Sequence, residues 1–435
     1  MKSLLSFTAL FVCAYSSFSQ KRLPLNDAIN IALKNNFNIQ IAKGNVDINV
    51  INNSYGMAGG LPTVTGTAGD QESVSNINQR INNSGTVAEI VRNGATTNTI
   101  SGNVTGSILL YNGMRVVATK KSLEALQRQS EQQLNAQVQT TIASVMVKYY
   151  DVVRQGVYLK ALQRSIDLSK QQLDLIQVRK SVGLANNAEL FQSQIDLNTR
   201  QQEYLAQELV LHQSTSDLLT LLNIRPDSNL VVQDTIVVDN NLQLDAVLNS
   251  LSQNPIVVSN DEQIKVNELI EKQTAAQRYP SLRFNTGLNF GRTASDAGQV
   301  LLNQSYGPFA GVSLSVPIYN GSIYKRQQQA ATVTTKIARI QRESSLLGLQ
   351  NDAVKTYQSY NINLSQLNKQ RNTYDLSLQL MELSQERYRL AQATILEVRE
   401  AQKSFEDAAY TLVNLSYAAK AAEIELKRLQ NKLGL

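Results

Sequence analysis

The stretch VSLSVPIYNG, residues 312–321, marks a change of chain geometry. Val312, Leu314, Val316 and Ile318 alternate with Gly311, Ser313, Ser315 and Pro317, the period of a strand with one apolar and one polar face. Beyond Gly321 the apolar spacing becomes three and four, through Leu346, Leu349, Ala353, Tyr357, Tyr360, Leu364, Leu367, Tyr374, Leu378, Met381 and Tyr388. Only Arg371 and Gln385 interrupt that seam. A period sustained near 3.5 predicts a very long helix in coiled-coil packing.

The same junction stands once more in the chain. Val104, Gly106, Ile108 and Leu110 oppose Asn103, Thr105 and Ser107, and Tyr111-Asn112-Gly113 repeats Tyr319-Asn320-Gly321 at a spacing of 208 residues. That spacing also relates Tyr149 to Tyr357, Arg179 to Arg387, Glu189 to Glu397 and Gln194 to Gln402. Upstream, Leu61-Pro62 and Tyr279-Pro280 stand 218 residues apart, so only the segment between the two marks has changed length. A unit of this size exceeds solenoid repeats, whose period is roughly 20–50 residues. The chain divides into a first repeat at 20–222, a connector at 223–243 and a second repeat at 244–435.

Each repeat opens on an amphipathic helix: Leu25, Ala28, Ile29, Ala32 and Leu33 in one, Leu244, Val247, Leu248 and Leu251 in the other. Breaks are predicted at Asn35-Asn36 and Asn254-Pro255. Strands follow each proline; Leu282, Phe284, Leu288 and Phe290 oppose Arg283, Asn285 and Asn289. The Asn-, Ser-, Gly- and Thr-rich segment from Asp70 to Ile100 reads as a long exposed loop. The first long helix carries Val138, Val145, Tyr149, Val152, Leu159, Ile166 and Leu173; from Gly113 to Lys180 it would run about 100 Å at the helical rise. Each rod reverses at a short turn, Val182 to Asn186 and Leu390 to Thr394. Gly183 suits the first C-cap, while Asn186 and Thr394 suit the N-caps of the return helices.

Four strands cannot enclose a water-filled lumen. An open sheet edge cannot stand in lipid, where unpaired backbone groups find no partner. Several chains must therefore pool their strands. Residues 1–19 carry a secretory leader, with Lys2, an apolar run from Leu4 to Tyr15 and a small-residue cleavage site at Ser17-Phe18-Ser19. Its loss removes Cys13, the one cysteine, and lowers the formal charge of +6 by one lysine. Basic residues are scattered beside Asp and Glu, which argues against a nucleic-acid partner. A single histidine, His212, with no Cys/His cluster, offers no metal site, and no cofactor is expected. Glu397 and Glu400 share one helix face, but no nucleophile accompanies them and no enzyme is read. Their ordinary role is a solvated first helical turn.

The order of these features resembles the TolC family of outer-membrane efflux channels. The resemblance rests on the duplicated Leu-x-x-Ala-x-x-x-Ala-Leu-x-Asn-Asn start (Leu25 to Asn36), the Pro before each strand pair, the Pro-Ile-Tyr-Asn-Gly junction and the two helical turns. It implies an α+β membrane protein of a Gram-negative outer membrane: a homotrimeric β-barrel, four strands per chain, continued by a periplasmic barrel of coiled-coil helices. It implies a passive conduit served by a periplasmic adaptor and an inner-membrane pump of the RND, ABC or MFS class. By alignment, Glu397 and Glu400 match acidic-ring positions of the periplasmic constriction. Gln172, Glu189 and Tyr388 match residues linking helical hairpins in the closed state. Gly183, Leu184, Ala185, Leu390 and Ala391 form the adaptor-docking tips. Phe37 stands where the family favours Pro, and Ala391 where it favours Gly. Ala393 replaces an Arg of the gate, leaving Arg387 or Arg399 to supply another bond. The competing reading is a periplasmic coiled-coil structural or adaptor protein without a pore, which would not need a lipid-facing strand pattern.

Overall fold

The computed structural model describes residues 21–83, 85–228, 230–232 and 234–433; the expected leader at 1–19 lies outside them. In chain order the elements are β1 (Lys21–Arg22), α1 (Leu25–Asn35), α2 (Phe37–Asn52), β2 (Thr63–Asn83), β3 (Thr86–Tyr111), α3 (Arg115–Ser181), α4 (Asn187–Leu221), β4 (Leu230–Val231), α5 (Leu244–Ser250), α6 (Pro255–Ala276), β5 (Ser281–Ser295), β6 (Leu302–Ser315), α7 (Ile323–Arg389) and α8 (Ile395–Leu429). The long helices α3 and α7 have 67 residues each, and the return helices α4 and α8 have 35 each.

The helix breaks fall where the asparagines predict. Asn36 takes extended backbone, and its Oδ1 accepts from the N–H groups of Asn38 at 3.0 Å and Ile39 at 3.4 Å, opening α2. At the matching place in the second repeat, Asn254 accepts from the Ile256 N–H at 3.0 Å, and Pro255 takes the first helical position. Each side chain satisfies backbone donors that the helix start would leave unpaired.

The chain forms two compact units, and both draw on both repeats. One comprises residues 41–136 and 252–348 and holds a four-stranded antiparallel sheet in the order β2-β3-β5-β6. Phe284 pairs with Ile108 on one side and Val312 on the other, and Leu282 pairs with Leu314. Asn285, Ser107, Arg283 and Ser313 occupy the intervening positions, so the sheet has one apolar and one polar face. Val104, Leu288, Val312 and Leu314 are exposed in the single chain. An apolar sheet face of this extent calls for a nonaqueous neighbour.

The expected loop from Asp70 to Ile100 is instead a continuation of β2 and β3, paired from Thr63↔Ser107 out to Asn83↔Thr86. Polar side chains do not prevent strand pairing, because ladder hydrogen bonds use backbone groups alone. The composition reported two wetted faces, not an absence of strand. Two further boundaries differ from expectation. Strand β6 ends at Ser315, so Val316 and Ile318 belong to the exit from the strand. Leu110 falls in a bulge between the pairs Leu109↔Arg283 and Tyr111↔Leu282.

The duplicated Tyr-Asn-Gly turns share an unusual backbone. Gly113 and Met114 have φ of 68° and 67°; Gly321 and Ser322 have 67° and 65°. Their surroundings differ. A Cβ on Gly113 would lie 2.6 Å from Tyr279 Cβ and 3.0 Å from the Ala276 carbonyl oxygen, whereas one on Gly321 would meet nothing. Gly321→Ala is expected to cost only the left-handed strain, about 1–2 kcal/mol. Gly113→Ala adds overpacking of about 1–3 kcal/mol. Thermal unfolding followed by circular dichroism should rank Gly113→Ala well below Gly321→Ala; equal midpoints would contradict the packing at Gly113.

The other unit comprises the described residues up to Gln40 with 137–251 and 349–433. Its largest core joins Ala28, Ile29 and Ala32 of α1 to Ile142, Val145, Tyr149, Val152 and Val153 of α3, Leu218 of α4 and Ile424 of α8. The connector strand β4 pairs in parallel with β1, and the Tyr149 hydroxyl donates to the Leu23 carbonyl at 3.1 Å. Along α7, the predicted seam residues Leu349, Ala353, Tyr360, Leu367, Met381 and Tyr388 are all buried.

Candidate functional site

The candidate site is the end of the helical unit where α3 turns into α4 and α7 turns into α8. Both turns close the same way. In the first, Leu184 N–H donates to the Arg179 carbonyl at 2.7 Å and Gly183 N–H to Lys180 at 3.0 Å. In the second, Gln392 N–H donates to Arg387 at 2.8 Å and Ala391 N–H to Tyr388 at 3.0 Å. This pattern needs a left-handed residue after the helix. Gly183 has φ 78°, and Ala391 fills the same role at φ 58° despite its Cβ. The return helices start on the expected caps: Asn186 Oδ1 accepts from the Glu189 N–H at 2.9 Å, and Thr394 forms a capping box with Glu397.

The two turns pack side by side within the chain. Ile176, Tyr388 and Val398 form a buried cluster, with Leu175, Ala185, Leu190, Ala393 and Ile395 against it. Ala185, expected at the docking tip, is thus partly turned into this cluster. Leu184 and Leu390 point outward, 68% and 56% exposed. Gly183 and Ala391 are exposed beside them.

Of the expected gate residues, the structure brings Tyr388 and Glu189 into one neighbourhood. Tyr388 is buried, with the Arg179 guanidinium 5.0 Å from its ring centre. Burial raises the pKa of its hydroxyl; the Arg179 charge opposes that rise and the Glu189 charge adds to it. Gln172 is buried on α3, and its amide nitrogen has no hydrogen-bond partner among the described residues. The structure records no bond between Gln172 and the other two. A buried amide donor left unpaired is costly.

Glu397 and Glu400 are both exposed on the first turns of α8. Glu397 Oε1 accepts from the Thr394 N–H at 3.1 Å, and these Thr394 hydrogen bonds hold its carboxyl below the usual range. Arg387 approaches Glu397 at 3.7 Å, while Arg399 pairs with Asp196 at 3.1 Å on α4. Arg387 is therefore the arginine that reaches the acidic position, and Arg399 braces the two return helices. Of these two carboxylates, Glu400 has no ion-pair partner among the described residues.

A polar cluster that the sequence reading missed lies on the helical seam. Ser165 donates to Glu406, the Gln402 amide donates to the Ser165 carbonyl at 3.0 Å and Ser169 Oγ at 2.9 Å, and Arg200 reaches Glu406 at 2.6 Å. Burial raises the Glu406 pKa, offset in part by Ser165 and Arg200. The available signal was Gln402 and Glu406, four residues apart among the buried Val398, Ala401, Phe405 and Ala409. Among the described residues no helix is long and apolar enough to cross a membrane, and no group of three or more His, Cys, Asp or Glu is placed to hold a metal ion.

Known proteins share this fold. Residues 28–223 and 262–432 match the sequence profile described as "Outer membrane efflux protein". The chain is 21% identical over 411 residues to "Toxin and drug export protein A" of Aggregatibacter actinomycetemcomitans, covering 93% of this chain and 85% of that one. The crystal structure of the Campylobacter jejuni CmeC outer membrane channel aligns with a TM-score of 0.75 at 17% identity, covering 94% of this chain and 85% of the other. The outer membrane protein VceC of Vibrio cholerae aligns with a TM-score of 0.73 at 15% identity, covering 94% and 96%.

Proposed function

This chain belongs to the outer membrane efflux protein family, and from that membership we propose how it makes a pore: three copies pool their sheets into one twelve-stranded barrel. The chain is a passive exit channel of the outer membrane for efflux or secretion, with its helical part in the periplasm. The observation that carries the trimer is the sheet itself. Strands β2 and β6 are open edges, and one sheet face is apolar at Val104, Ile108, Phe284, Leu288, Val312 and Leu314. Edge-to-edge pairing of copies satisfies the open backbone groups and places the apolar face in lipid. The repeats at 20–222 and 244–435, joined by 223–243, are the half-units of this ring. Native mass measurement in mild detergent should give three chains; a stable water-soluble monomer would rule this assembly out.

The helical turns receive a periplasmic adaptor, which couples the conduit to an inner-membrane pump of the RND, ABC or MFS class. Leu184, Leu390, Gly183 and Ala391 make the contact, with Ala185 supporting it from the packed side. Tyr388, Glu189 and Gln172 hold the closed state; the unpaired Gln172 amide suits a partner on a neighbouring copy. What supports this role is the outward apolar pair at the tip beside a tyrosine already clamped by Arg179.

Glu397 and Glu400 form the acidic constriction. A ring of carboxylates in a narrow water-filled entrance focuses the field and favours cations. Arg387 partly offsets Glu397, so Glu400 supplies the greater share. In bilayer recordings the Glu397→Gln, Glu400→Gln double variant should lose most of its cation preference and its block by multivalent cations from the periplasmic side. Gln at the third helical position keeps the capping box, so trimer stability should hold. Unchanged selectivity and blocker affinity would remove these two residues from the constriction.

A further inference from the structure

The unit that holds the sheet contains a cavity of about 450 Å³ where β5 and β6 meet the first turns of α3 and α7. Pockets of this size accept small organic molecules. Its wall carries Asn112, Arg115, Gln277, Arg283, Tyr324 and Gln327, and none of its lining residues is acidic. Among the described residues, neither arginine has a carboxylate partner within ion-pair distance. Arg283 Nη1 donates to Ser107 Oγ, at 3.2 Å, and Ser107 in turn donates to Asn285 at 2.8 Å.

Two further observations point to an acceptor-rich ligand. The Asn112 side-chain nitrogen is enclosed and has no hydrogen-bond partner among the described residues, while its oxygen accepts from the Val116 N–H at 3.3 Å. An enclosed donor of this kind calls for an acceptor. Helices α3 and α7 also both begin at the cavity wall, at Arg115 and Ile323. Helix starts carry positive potential.

The duplication separates scaffold from charge. At the repeat spacings, Asn112 corresponds to Asn320, but Arg115 corresponds to Ile323 and Arg283 to Thr65. The turn is built in both copies; each arginine stands in only one, Arg115 in the first and Arg283 in the second. The positive charges are therefore not required by the strand-to-helix junction.

We propose that this cavity binds a small organic oxyanion, a carboxylate, sulfonate or phosphate, through Arg115, Arg283 and the Asn112 amide, with the Tyr324 ring against its carbon frame. The proposal rests on the reading that the polar sheet face lines the conduit, because Arg283 shares that face with Ser107 and Asn285. The same chemistry would suit an anionic lipid headgroup. The Ser-, Thr- and Asn-rich face favours a dissolved solute, since acyl chains need the opposite, apolar face. A cation-favouring constriction elsewhere on the wall does not conflict, because the pump drives solute past it.

The test uses the purified full-length protein in zwitterionic, phosphate-free detergent at low salt, with 8-hydroxypyrene-1,3,6-trisulfonate as an anisotropy probe. Saturable binding is expected, displaced by inorganic phosphate. Arg115→Gln and Arg283→Gln should each weaken it at least tenfold, Arg283→Lys should recover part of the loss, and Arg225→Gln, outside the cavity, should leave it unchanged. Each variant must first migrate as the wild-type assembly does. Equal affinity in wild type and both glutamine variants would overturn the proposal. In nanodiscs, displacement of the probe by phosphatidylglycerol but not phosphatidylcholine would also overturn it, in favour of a lipid site. Bilayer conductance of the same preparation keeps the two readings apart: open channels with no probe binding sink this inference alone, whereas no conductance sinks the channel reading on which it rests.

Discussion

Phe284→Arg is expected to abolish the detergent-soluble trimer, while Asn285→Arg leaves it largely intact. The two residues are neighbours on β5, but the pleat sends them to opposite faces. Phe284 stands between Ile108 and Val312 on the apolar face. Asn285 accepts from Ser107 at 2.8 Å and donates to Ser313 Oγ at 3.3 Å on the polar one. An arginine on the lipid face costs from about 0–1 kcal/mol near the interfaces to about 2–4 kcal/mol at the bilayer midplane, and a trimer carries the change in every copy. Replacing Asn285 removes one part-buried and one exposed hydrogen bond and leaves the new charge on the polar face. Leu314→Arg, paired across from Leu282, should behave as Phe284→Arg does. Heat-modifiable migration on gels and native mass spectrometry give the readout. Equal loss of trimer in all three variants would mean that the faces are wrongly assigned.

The second large effect is expected at the helical turns. Leu184→Glu combined with Leu390→Glu should abolish export while trimer formation and membrane insertion persist. Both side chains are mostly exposed and contribute little to the core of the chain, so their replacement leaves the fold alone. An apolar pair at an exposed helix turn is what a close-packed partner would cover, and a buried unpaired carboxylate in that contact is strongly unfavourable. Gly183 is a poorer probe. Its φ of 78° strains any side chain, so a charge placed there would mix a folding defect with a docking defect. Survival of a channel-deficient strain on a toxic substrate, complemented with each variant, measures export; membrane fractionation and native mass measurement report assembly. Full export from a correctly assembled double variant would place the adaptor contact elsewhere.

Much of this architecture is written locally. The switch from period two to period three-and-four at Pro317 to Gly321 marks where a strand hands over to a helix, and the repeated Tyr-Asn-Gly shows that it happens twice. The caps at Asn186 and Thr394 and the left-handed Gly183 are one-residue signals with one-residue causes, and they stand where expected. The seam of α7 was legible because burial on a long helix repeats with the helical period.

Other features could not be read along the chain. The hairpin from Asp70 to Ile100 carries no apolar alternation, because solvent wets both of its faces; its strand character comes from backbone pairing that composition does not encode. The bulge at Leu110 depends on the register with β5, a partner far away in sequence. The joining of Ser165, Gln402, Glu406 and Arg200 needs three helices in one alignment. So does the pairing of Arg387 with Glu397 and of Arg399 with Asp196, which decides which of two carboxylates stays free. By itself the sequence determined the order, period and ends of the elements, because these follow from the conformational preferences of each residue and its near neighbours. Tertiary structure alone decided which polar groups meet, because hydrogen bonds and ion pairs act over a few ångströms between side chains whose separation along the chain says nothing of their distance in space.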